Sequence, residues 1–558
     1  MKLKNILYSM MMGTAVLTGT TSCVSDLDQY PHTETTSKDV YTSLANYEAV
    51  LGKIYAAMVT SGQGKGGDNK DMESVLNNGS GFDYMRMFIN MQECGTDEFA
   101  STWLTGEQTT GLSYLSWDAN DAWVSDMYYR IYYNIALCNE FLRNANSASF
   151  SGADAEKMKE YKAEVRFMRA LFYYHALDFY RNIPMVTEND PVGSYIPPRY
   201  TPQQTFDYIE SELKDCVGDM LSASTCPYGQ ASQGAAYTLL AKLYLNSEVY
   251  TGVAKYAECK EACEKVMNMG YSLESDYSKL FNADNDKRTN EIIFALPVSA
   301  EHTVSWGSST YLVCGQVSLS NANQNVADFG VTKGWGEFRL RPEFVDKFTQ
   351  TDIDGNGDKR CKFFTNGQSK DVTSMTDETA GYLSEKWSNL KDDGTTASNT
   401  DNDGVETDFP LFRLADVYLM YAECVVRLHN DWDNWAGGSD AADPTVIASR
   451  KQGAIYWINL LRERAGNTDV WASNFADDDA FLQFILDERA RELYHEGYRR
   501  TDLIRYGQFT TNKYIWQWKG GVHDGQAVDS KYNIYPIPNT ELTAIQIFIT
   551  TTINRIKE

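Results

Sequence analysis

Long runs of apolar residues at helical spacing are the feature that most limits what this chain of 558 residues can fold into. One of them runs from Ala155 to Tyr180 as AEKMKEYKAEVRFMRALFYYHALDFY, and Pro184 follows it as a helix breaker. Similar runs cover residues 39–59, 121–142, 201–217, 234–250 and 256–273. Because apolar side chains that recur every three to four residues line one face of a helix, the sequence predicts a mostly α fold.

The runs at 234–250 and 256–273 follow each other and place Ala at close-packing positions beside aromatic side chains. Paired helices of this length are typical of tetratricopeptide units, here with a loose period and an incomplete signature. The next part of the chain differs, because the strand-like EIIFAL at 291–296 leads into Gly-, Ser-, Asn- and Thr-rich sequence. We therefore expect a helical region at 39–274, a loop-rich insertion with short strands at 275–405, and a second helical region at 406–558.

The composition narrows the class of partner. The formal net charge of −26 argues against nucleic acid, because an acidic surface repels phosphates and no Lys/Arg-rich run offsets it. The chain also contains 36 Tyr, 24 Phe and 12 Trp. Most of these rings are expected in the core, and a surplus suits stacking on sugars or on a protein partner.

The N-terminus has the layout of a secretory signal, with two lysines before an apolar stretch from Ile6 to Leu17 that is too short to span a bilayer. Cys23 follows small residues, as in the lipobox of bacterial lipoproteins, although Thr20 stands where Leu or Val is usual. The sequence predicts removal of residues 1–22, acylation of Cys23 and a tether over residues 23–38. The alternative is an ordinary secreted protein in which this cysteine is incidental.

Nine cysteines follow Cys23, and this odd number rules out complete pairing. Cys138 and Cys424 lie in apolar helical runs, and no zinc-ligand spacing is present. We interpret most of the nine as buried thiols that pack as small apolar groups. One or two disulfides are the alternative.

Segments spread over the whole mature chain carry a family resemblance. In order, they are VRFMRALFYYHALDFY (165–180), AAYTLLAKLYLN (235–246), LFRLADVYLMYAE (411–423), INLLRERAG (458–466), ILDERARELYHEGYRRTDLIRYG (485–507) and YPIP (535–538). Together with the leading Cys23, they resemble the SusD/RagB family of Bacteroidetes outer-membrane lipoproteins. The chain ends in TTTINRIKE where that family often has a run like QNPGY, so the resemblance does not predict the form of the tail.

The resemblance implies a fold in which about four tetratricopeptide-like helix pairs form a scaffold and a loop-rich subdomain carries the ligand surface. It implies a non-enzymatic lipoprotein, exposed on the outer membrane, that holds oligosaccharides for a SusC-like TonB-dependent transporter and requires no cofactor. Asp26 and Asp28 resemble the tag that exports such lipoproteins to the outer face. Three alternatives stay open: capture of oligopeptides for the same kind of importer, a surface carbohydrate-active hydrolase, and an adaptor that binds only protein.

In that family the ligand surface comes mainly from the loops after the first helix, here residues 60–120, and from the middle insertion. Sugar rings stack on Trp or Tyr, while Asp and Arg bind their hydroxyl groups. The candidates are the aromatic residues Tyr84, Trp103, Tyr114, Trp117, Trp306 and Trp335, with Asp83 and Arg86 as polar partners. For each ring, packing in the core or within a loop is the alternative interpretation.

The segment DIDGNGD suggests a metal site. It places Asp352, Asp354 and Asn356 at alternate positions, as in a calcium-binding loop, and Asp358 adds a further carboxylate. The twelfth position of such a loop is Phe363 instead of the usual Glu. A structural calcium ion and an ordinary Asp/Asn/Gly turn are the two interpretations.

A second acidic pattern consists of Glu488, Glu492 and Glu496, four residues apart among several arginines. A retaining glycosidase needs two carboxyl groups about 5 Å apart that flank the sugar, whereas these project from one helix face. Neighbouring arginines also favour ionised carboxylates over a proton-donating acid. The pattern therefore predicts a structural ion-pair network, which Asp502 and Arg505 are expected to join.

Overall fold

The computed structural model describes residues 37–64, 70–76, 82–193, 195–399, 404–433 and 443–544. The predicted signal, Cys23 and most of the tether therefore lie outside the described residues. The chain divides into two compact units, Met1–Val50 and Leu51–Glu558. Among the described residues, we find no helix with the length and apolar character that crossing a bilayer requires.

Helices make up most of the regular structure. They are α1 Ser37–Val40, α2 Leu44–Ala56, α3 Tyr84–Glu93, α4 Thr110–Tyr114, α5 Ala122–Ser147, α6 Ala153–Tyr180, α7 Pro202–Cys216, α8 Gln233–Leu245, α9 Ser247–Thr251, α10 Tyr256–Met267, α11 Ser308–Gly315, α12 Pro342–Val345, α13 Gln350–Ile353, α14 Leu414–Arg427, α15 Pro444–Arg450, α16 Ala454–Ala465, α17 Asp478–Leu493 and α18 Arg499–Arg505. The strands are β1 Ala100–Ser101, β2 Ile183–Pro184, β3 Arg199–Tyr200, β4 Ile292–Leu296, β5 Phe338–Arg339, β6 Phe363–Phe364, β7 Leu383–Ser384 and β8 Phe409–Arg413. The predicted mostly α fold is confirmed.

Local signals explain where several helices begin and end. Thr201 and Gln204 form a capping box at the start of α7, and Pro202 occupies the first turn, where a missing backbone N–H costs nothing. Asp121 caps α5 by accepting the backbone N–H groups of Trp123 and Val124. Gly466, with φ of +82°, ends α16 in the left-handed conformation that glycine adopts without strain.

The helices pack pairwise. α5 lies against α6, α8 against α10, and α14 against α16, and α10 also contacts α14. Helices that pack in this way bury their apolar faces against each other, as tetratricopeptide units do. The number of four such pairs remains a prediction.

Each strand pairs with one other strand in an antiparallel, two-stranded sheet. β4, which the EIIFAL segment predicts, pairs with β8. β1 pairs with β5, so that Ala100 lies opposite Arg339 and Ser101 opposite Phe338. This pairing joins two segments that are more than two hundred residues apart in sequence and brings Trp103 close to Trp335.

The predicted ion-pair network is present and buried at the packed ends of α14, α16 and α17. Arg413 contacts Glu291 at 2.8 Å, Glu492 at 3.0 Å and Glu496 at 2.7 Å. Burial alone would raise the pKa of Glu492, but Arg464 and the other nearby guanidinium groups lower it to about 2. Glu492 therefore stays ionised and acts as a structural anchor.

The other members of the network follow the prediction. Glu488 contacts Arg491 at 2.8 Å, and Asp502 accepts from Arg489 at 2.7 Å and from Arg505 at 2.8 Å. All are buried. Paired carboxylates of this kind supply neither the acid nor the nucleophile of a glycosidase.

The DIDGNGD segment does not form the calcium loop that its spacing suggests. Asp352 accepts the backbone N–H of Asp358 at 2.7 Å, and Asp358 pairs with the guanidinium group of Arg360 at 2.6 Å. Asn356 donates to the backbone carbonyl of Asp354 at 3.2 Å. Because its carboxylates already bind protein donors, the segment does not fit a hard cation, and no group of three or more metal ligands occurs among the described residues.

The nine cysteines after Cys23 are free thiols, and seven of them are buried. Cys138 and Cys424 are fully buried within α5 and α14. These positions confirm their interpretation as small apolar packing groups. The alternative, one or two disulfides, does not occur among these nine cysteines.

Candidate ligand-binding cleft

One cleft of about 420 Å³ opens where loops of the helical region and of the middle insertion meet. Its walls come from five places: the start of α3, the loop after β1, the segments before and after α11, and the segment before β5. The lining residues are Phe82, Arg86, Trp103, Glu107, Trp306, Leu319, Lys333, Gly334, Trp335 and Glu337.

Exposed apolar side chains gather at this cleft. Trp103 is 38% exposed, Trp306 39% and Leu319 53%, and Trp335 is half-buried. The indole N–H of Trp103 donates to the backbone carbonyl of Trp335 at 3.3 Å, which helps to orient the first ring. Single exposed apolar residues are ordinary, but a group of them around a concave surface with polar groups between them is typical of a ligand site.

Arg86 forms the floor of the cleft. Its guanidinium group lies 4.0 Å from the ring centre of Phe82 and 4.2 Å from that of Tyr311. One terminal nitrogen donates to the backbone carbonyl of Trp306 at 2.7 Å, and the other donates to Glu107 at 2.5 Å and to Glu337 at 3.2 Å. Burial disfavours the charge of Arg86, but the two carboxylates outweigh it and raise its pKa.

The two carboxylates beside Arg86 differ in environment. Glu337 is almost completely buried, and this burial raises its pKa even though Arg86 opposes the shift. Glu107 is held at its backbone, where the indole N–H of Trp123 donates to its carbonyl at 2.7 Å. Trp123 in turn stacks on Phe82 at 5.4 Å, so the arginine, its partners and the ring below it form one packed unit.

The wall that carries Trp335 depends on two glycines. A Cβ atom on Gly334 would lie 2.4 Å from the carbonyl oxygen of Val317, so only glycine fits. Gly336 has φ of +61°, and a Cβ atom there would lie 2.9 Å from the carboxylate of Glu378. This close approach fixes the direction in which Trp335 leaves the backbone.

Glu378 orders the turn that carries Leu319, another lining residue of the cleft. One of its carboxylate oxygens accepts the hydroxyl of Ser318 and the backbone N–H of Leu319, both at 2.8 Å, and the backbone N–H of Ser320 at 3.2 Å. A carboxylate that accepts several N–H and O–H groups orders a loop strongly. Leu319 therefore reaches the cleft from a fixed turn.

Comparisons with known proteins address the whole chain. A sequence model described as the SusD family matches residues 362–546, and one described as "Starch-binding associating with outer membrane" matches residues 27–245. The starch-binding protein SusD of Bacteroides thetaiotaomicron is 32% identical, over 97% of this chain and 98% of its own length. The chain belongs to the SusD family. The resemblance that its helical segments carry is thus confirmed.

Solved structures of similar proteins share the fold. A SusD-like carbohydrate binding protein from Bacteroides fragilis matches with a TM-score of 0.68 at 17% identity, over 90% of this chain and 98% of the other. Surface glycan-binding protein A from Bacteroides thetaiotaomicron, solved in complex with laminarihexaose, matches with a TM-score of 0.63 at 17% identity, over 90% and 97% of the two chains. The mostly helical architecture of this SusD-family chain is therefore that of its relatives.

Four of the eight ligand-site candidates line the cleft of this SusD-family chain: Arg86, Trp103, Trp306 and Trp335. Asp83 does not. It is fully buried, caps α3 by accepting the backbone N–H of Arg86 at 2.8 Å, and accepts the hydroxyl of Ser305 at 2.6 Å. Its carboxylate thus supports the floor and the Trp306 segment from behind, without reaching the cleft.

Three aromatic candidates also lie elsewhere. Tyr84 is fully buried, and its hydroxyl contacts Nδ1 of His175 at 2.6 Å. Trp117 is buried, with its indole N–H on the carbonyl of Ile534 at 3.3 Å. Tyr114 stacks on Trp518 at 6.0 Å. These three rings pack against distant segments of the chain. Packing of this kind is the alternative interpretation that applies to every aromatic candidate.

Six lining residues were not among the candidates: Phe82, Glu107, Leu319, Lys333, Gly334 and Glu337. Two of them carried a signal in the sequence, because Lys333 and Glu337 flank Trp335 in the segment KGWGEF. Glu107 follows Trp103 by four residues in the same loop. Charged residues that border a candidate aromatic residue within a glycine-rich loop deserve inclusion in such a site.

Proposed function

We propose that this SusD-family protein is a lipid-anchored, non-catalytic binding protein of the outer-membrane surface, which captures oligosaccharides and passes them to a SusC-like TonB-dependent transporter. The observation that carries the proposal is the cleft, in which Trp103, Trp306 and Trp335 surround a buried arginine. The starch-binding name of the 32% identical relative and the laminarihexaose complex of a structural neighbour support a glycan as the ligand.

The cleft offers the two kinds of contact that sugars need. An indole face accepts the C–H face of a pyranose ring, and two such faces in one cleft suit a chain of several sugar units. The carboxyl oxygens of Glu107 and Glu337 accept hydrogen bonds from sugar hydroxyl groups, and Lys333 donates hydrogen bonds from the rim. None of these groups needs to move a proton, so binding without bond cleavage is the expected outcome.

Isothermal titration calorimetry with the mature chain tests the ligand class. The panel contains maltoheptaose, laminarihexaose, cellohexaose and a mixture of oligopeptides. We expect binding of at least one oligosaccharide and none of the peptides. Binding of peptides alone would instead support the peptide importer, and binding of neither class together with tight binding to a transporter barrel would support the protein adaptor.

A second assay separates binding from hydrolysis. The purified chain is incubated with each glycan, and reducing ends are measured over a day. We expect no release above a buffer control, because Glu488 and Glu492 of α17 contact arginines in the buried network and the two acidic residues of the cleft, Glu107 and Glu337, both contact Arg86. Release of reducing sugar would replace the proposal with a surface hydrolase.

The anchor rests on Cys23, which lies outside the described residues. Stable anchoring without a spanning helix takes two acyl chains or more, and a lipobox cysteine supplies such a site. We expect the wild-type chain in the outer-membrane fraction and accessible to protease on intact cells. The Cys23→Ser variant should lose that fraction, and its retention there would contradict the lipid anchor.

A further inference from the structure

The charges of the cleft have an uneven arrangement. Its lining contains two cations, Arg86 and Lys333, and two carboxylates, Glu107 and Glu337. Both carboxylates contact the same terminal nitrogen of Arg86, at 2.5 Å and 3.2 Å. The floor arginine is therefore already paired within the protein, while Lys333 lies exposed at the rim.

An arginine that recognises an anionic ligand usually presents two parallel N–H groups to it. Here one terminal nitrogen of Arg86 is shared by Glu107 and Glu337, and the other donates to the carbonyl of Trp306 at 2.7 Å. An incoming carboxylate or sulfate would have to displace Glu107 and Glu337 from the same guanidinium group. The arrangement is thus a poor receptor for anions.

We infer that this cleft selects neutral glycans and rejects glycans that carry uronate or sulfate groups, with Glu107 and Glu337 as the residues that enforce the choice. The inference rests on the proposed function of the cleft and adds its specificity.

The chemistry of the hydroxyl group explains the preference. A sugar hydroxyl donates to a carboxylate and accepts from an N–H group, so it fits beside Glu107 and Arg86 at once. A uronate carboxylate has no proton to donate, and beside Glu107 it meets a like charge in a partly dry site. The neutral primary alcohol at C6 of a hexose satisfies both neighbours, whereas the acid satisfies only one.

The net charge of the chain, −26, also repels anions, but over a longer range. Salt at 0.1 M screens charges on exposed surfaces beyond about 10 Å, so this contribution is weak at physiological salt. A variant that removes one distant negative charge therefore distinguishes the local effect of the cleft from the general one. Glu261, exposed on α10 and paired with Lys265 at 3.2 Å, offers that control.

The experiment uses matched ligand pairs: maltoheptaose and laminarihexaose, each with its counterpart oxidised to the carboxylate at C6. Calorimetry on the mature chain measures all four in 0.1 M NaCl. For the glycan that binds, we expect the Kd of the neutral form to be at least about tenfold lower than that of its oxidised counterpart. One like-charge contact near a surface is sufficient for a difference of this size. The Glu107→Gln variant should reduce that ratio at least threefold, and Glu261→Gln should leave it unchanged.

A measurement on the unaltered protein guards against misfolding of the variant. Raising NaCl from 0.05 M to 0.5 M should narrow the gap between the two members by strengthening only the binding of the oxidised one. Equal or tighter binding of the oxidised glycan, or a ratio that Glu107→Gln leaves unchanged, overturns the selectivity but leaves glycan binding intact. Absence of binding by all four glycans overturns the proposed function, and this inference with it.

Discussion

Replacing Trp306 by Ala is the most direct test of the cleft. Trp306 is 39% exposed, and it is the backbone carbonyl of this residue that accepts from Arg86. The substitution therefore removes the indole face and leaves the contact that holds the floor. We expect weaker oligosaccharide binding with little change in stability.

The size of the effect follows from the exposed area. A tryptophan side chain presents at most about 250 Å², so the exposed 39% amounts to roughly 100 Å². At about 25 cal/mol per Å², complete coverage by a sugar would contribute about 2.4 kcal/mol, and coverage of half the area about 1.2 kcal/mol. Trp306→Ala should therefore raise the Kd between about 8-fold and about 60-fold.

Trp471 is the matched control, because it is also 39% exposed and does not line the cleft. Calorimetry with the best glycan of the panel compares Trp306→Ala, Trp471→Ala and the wild type, and thermal unfolding confirms that each variant is folded. An equal effect of both substitutions, or a Kd for Trp306→Ala within twofold of the wild type, would refute the assignment of the cleft.

Three further predictions concern stability and the shape of the wall. Arg413→Ala should lower the free energy of unfolding by about 3–5 kcal/mol, because it leaves buried carboxylates unpaired. As a control, Lys265→Ala at an exposed ion pair should change this free energy by less than about 0.5 kcal/mol. Urea titration measures both. The pKa of Glu492 is lowered from 4.5 to about 2, so its ionised form adds about 3 kcal/mol to the free energy of unfolding above pH 4.5. This contribution is lost as the pH falls towards 2. A urea midpoint that stays constant from pH 6 to pH 3 would contradict the network. Gly336→Ala should lower the free energy of unfolding by about 1–3 kcal/mol and weaken glycan binding. Gly394 also has a positive φ but has open space around it, so Gly394→Ala should show only the destabilisation from backbone strain and leave binding unchanged.

Much of the helical architecture could be predicted from the sequence, because the signals are local. The capping box at Thr201, the proline that follows it and the glycine at 466 act within one turn of a helix. The strand at 291–296 was predictable from its run of β-branched and aromatic residues. The partner of that strand, Phe409–Arg413, lies more than a hundred residues away, and no local pattern indicates such a pairing.

The candidate site was predictable only in part. Trp103 and Trp117 occur in the same loop region with similar neighbours, yet the first borders the cleft and the second is buried against the segment at Ile534. Tyr84 and Arg86 lie two residues apart at the start of one helix and point to different surroundings. Local sequence does not distinguish these residues, since their exposure depends on what the rest of the chain packs against them.

The sequence by itself determined the helical fold and membership of the SusD family, because helix periodicity, caps and the spacing of family segments are all readable along the chain. Only the tertiary structure decided which aromatic rings line the cleft and that Arg86 is paired with Glu107 and Glu337. The physical reason is that exposure and electrostatic environment arise from contacts between segments that can lie more than four hundred residues apart, which a local pattern does not encode.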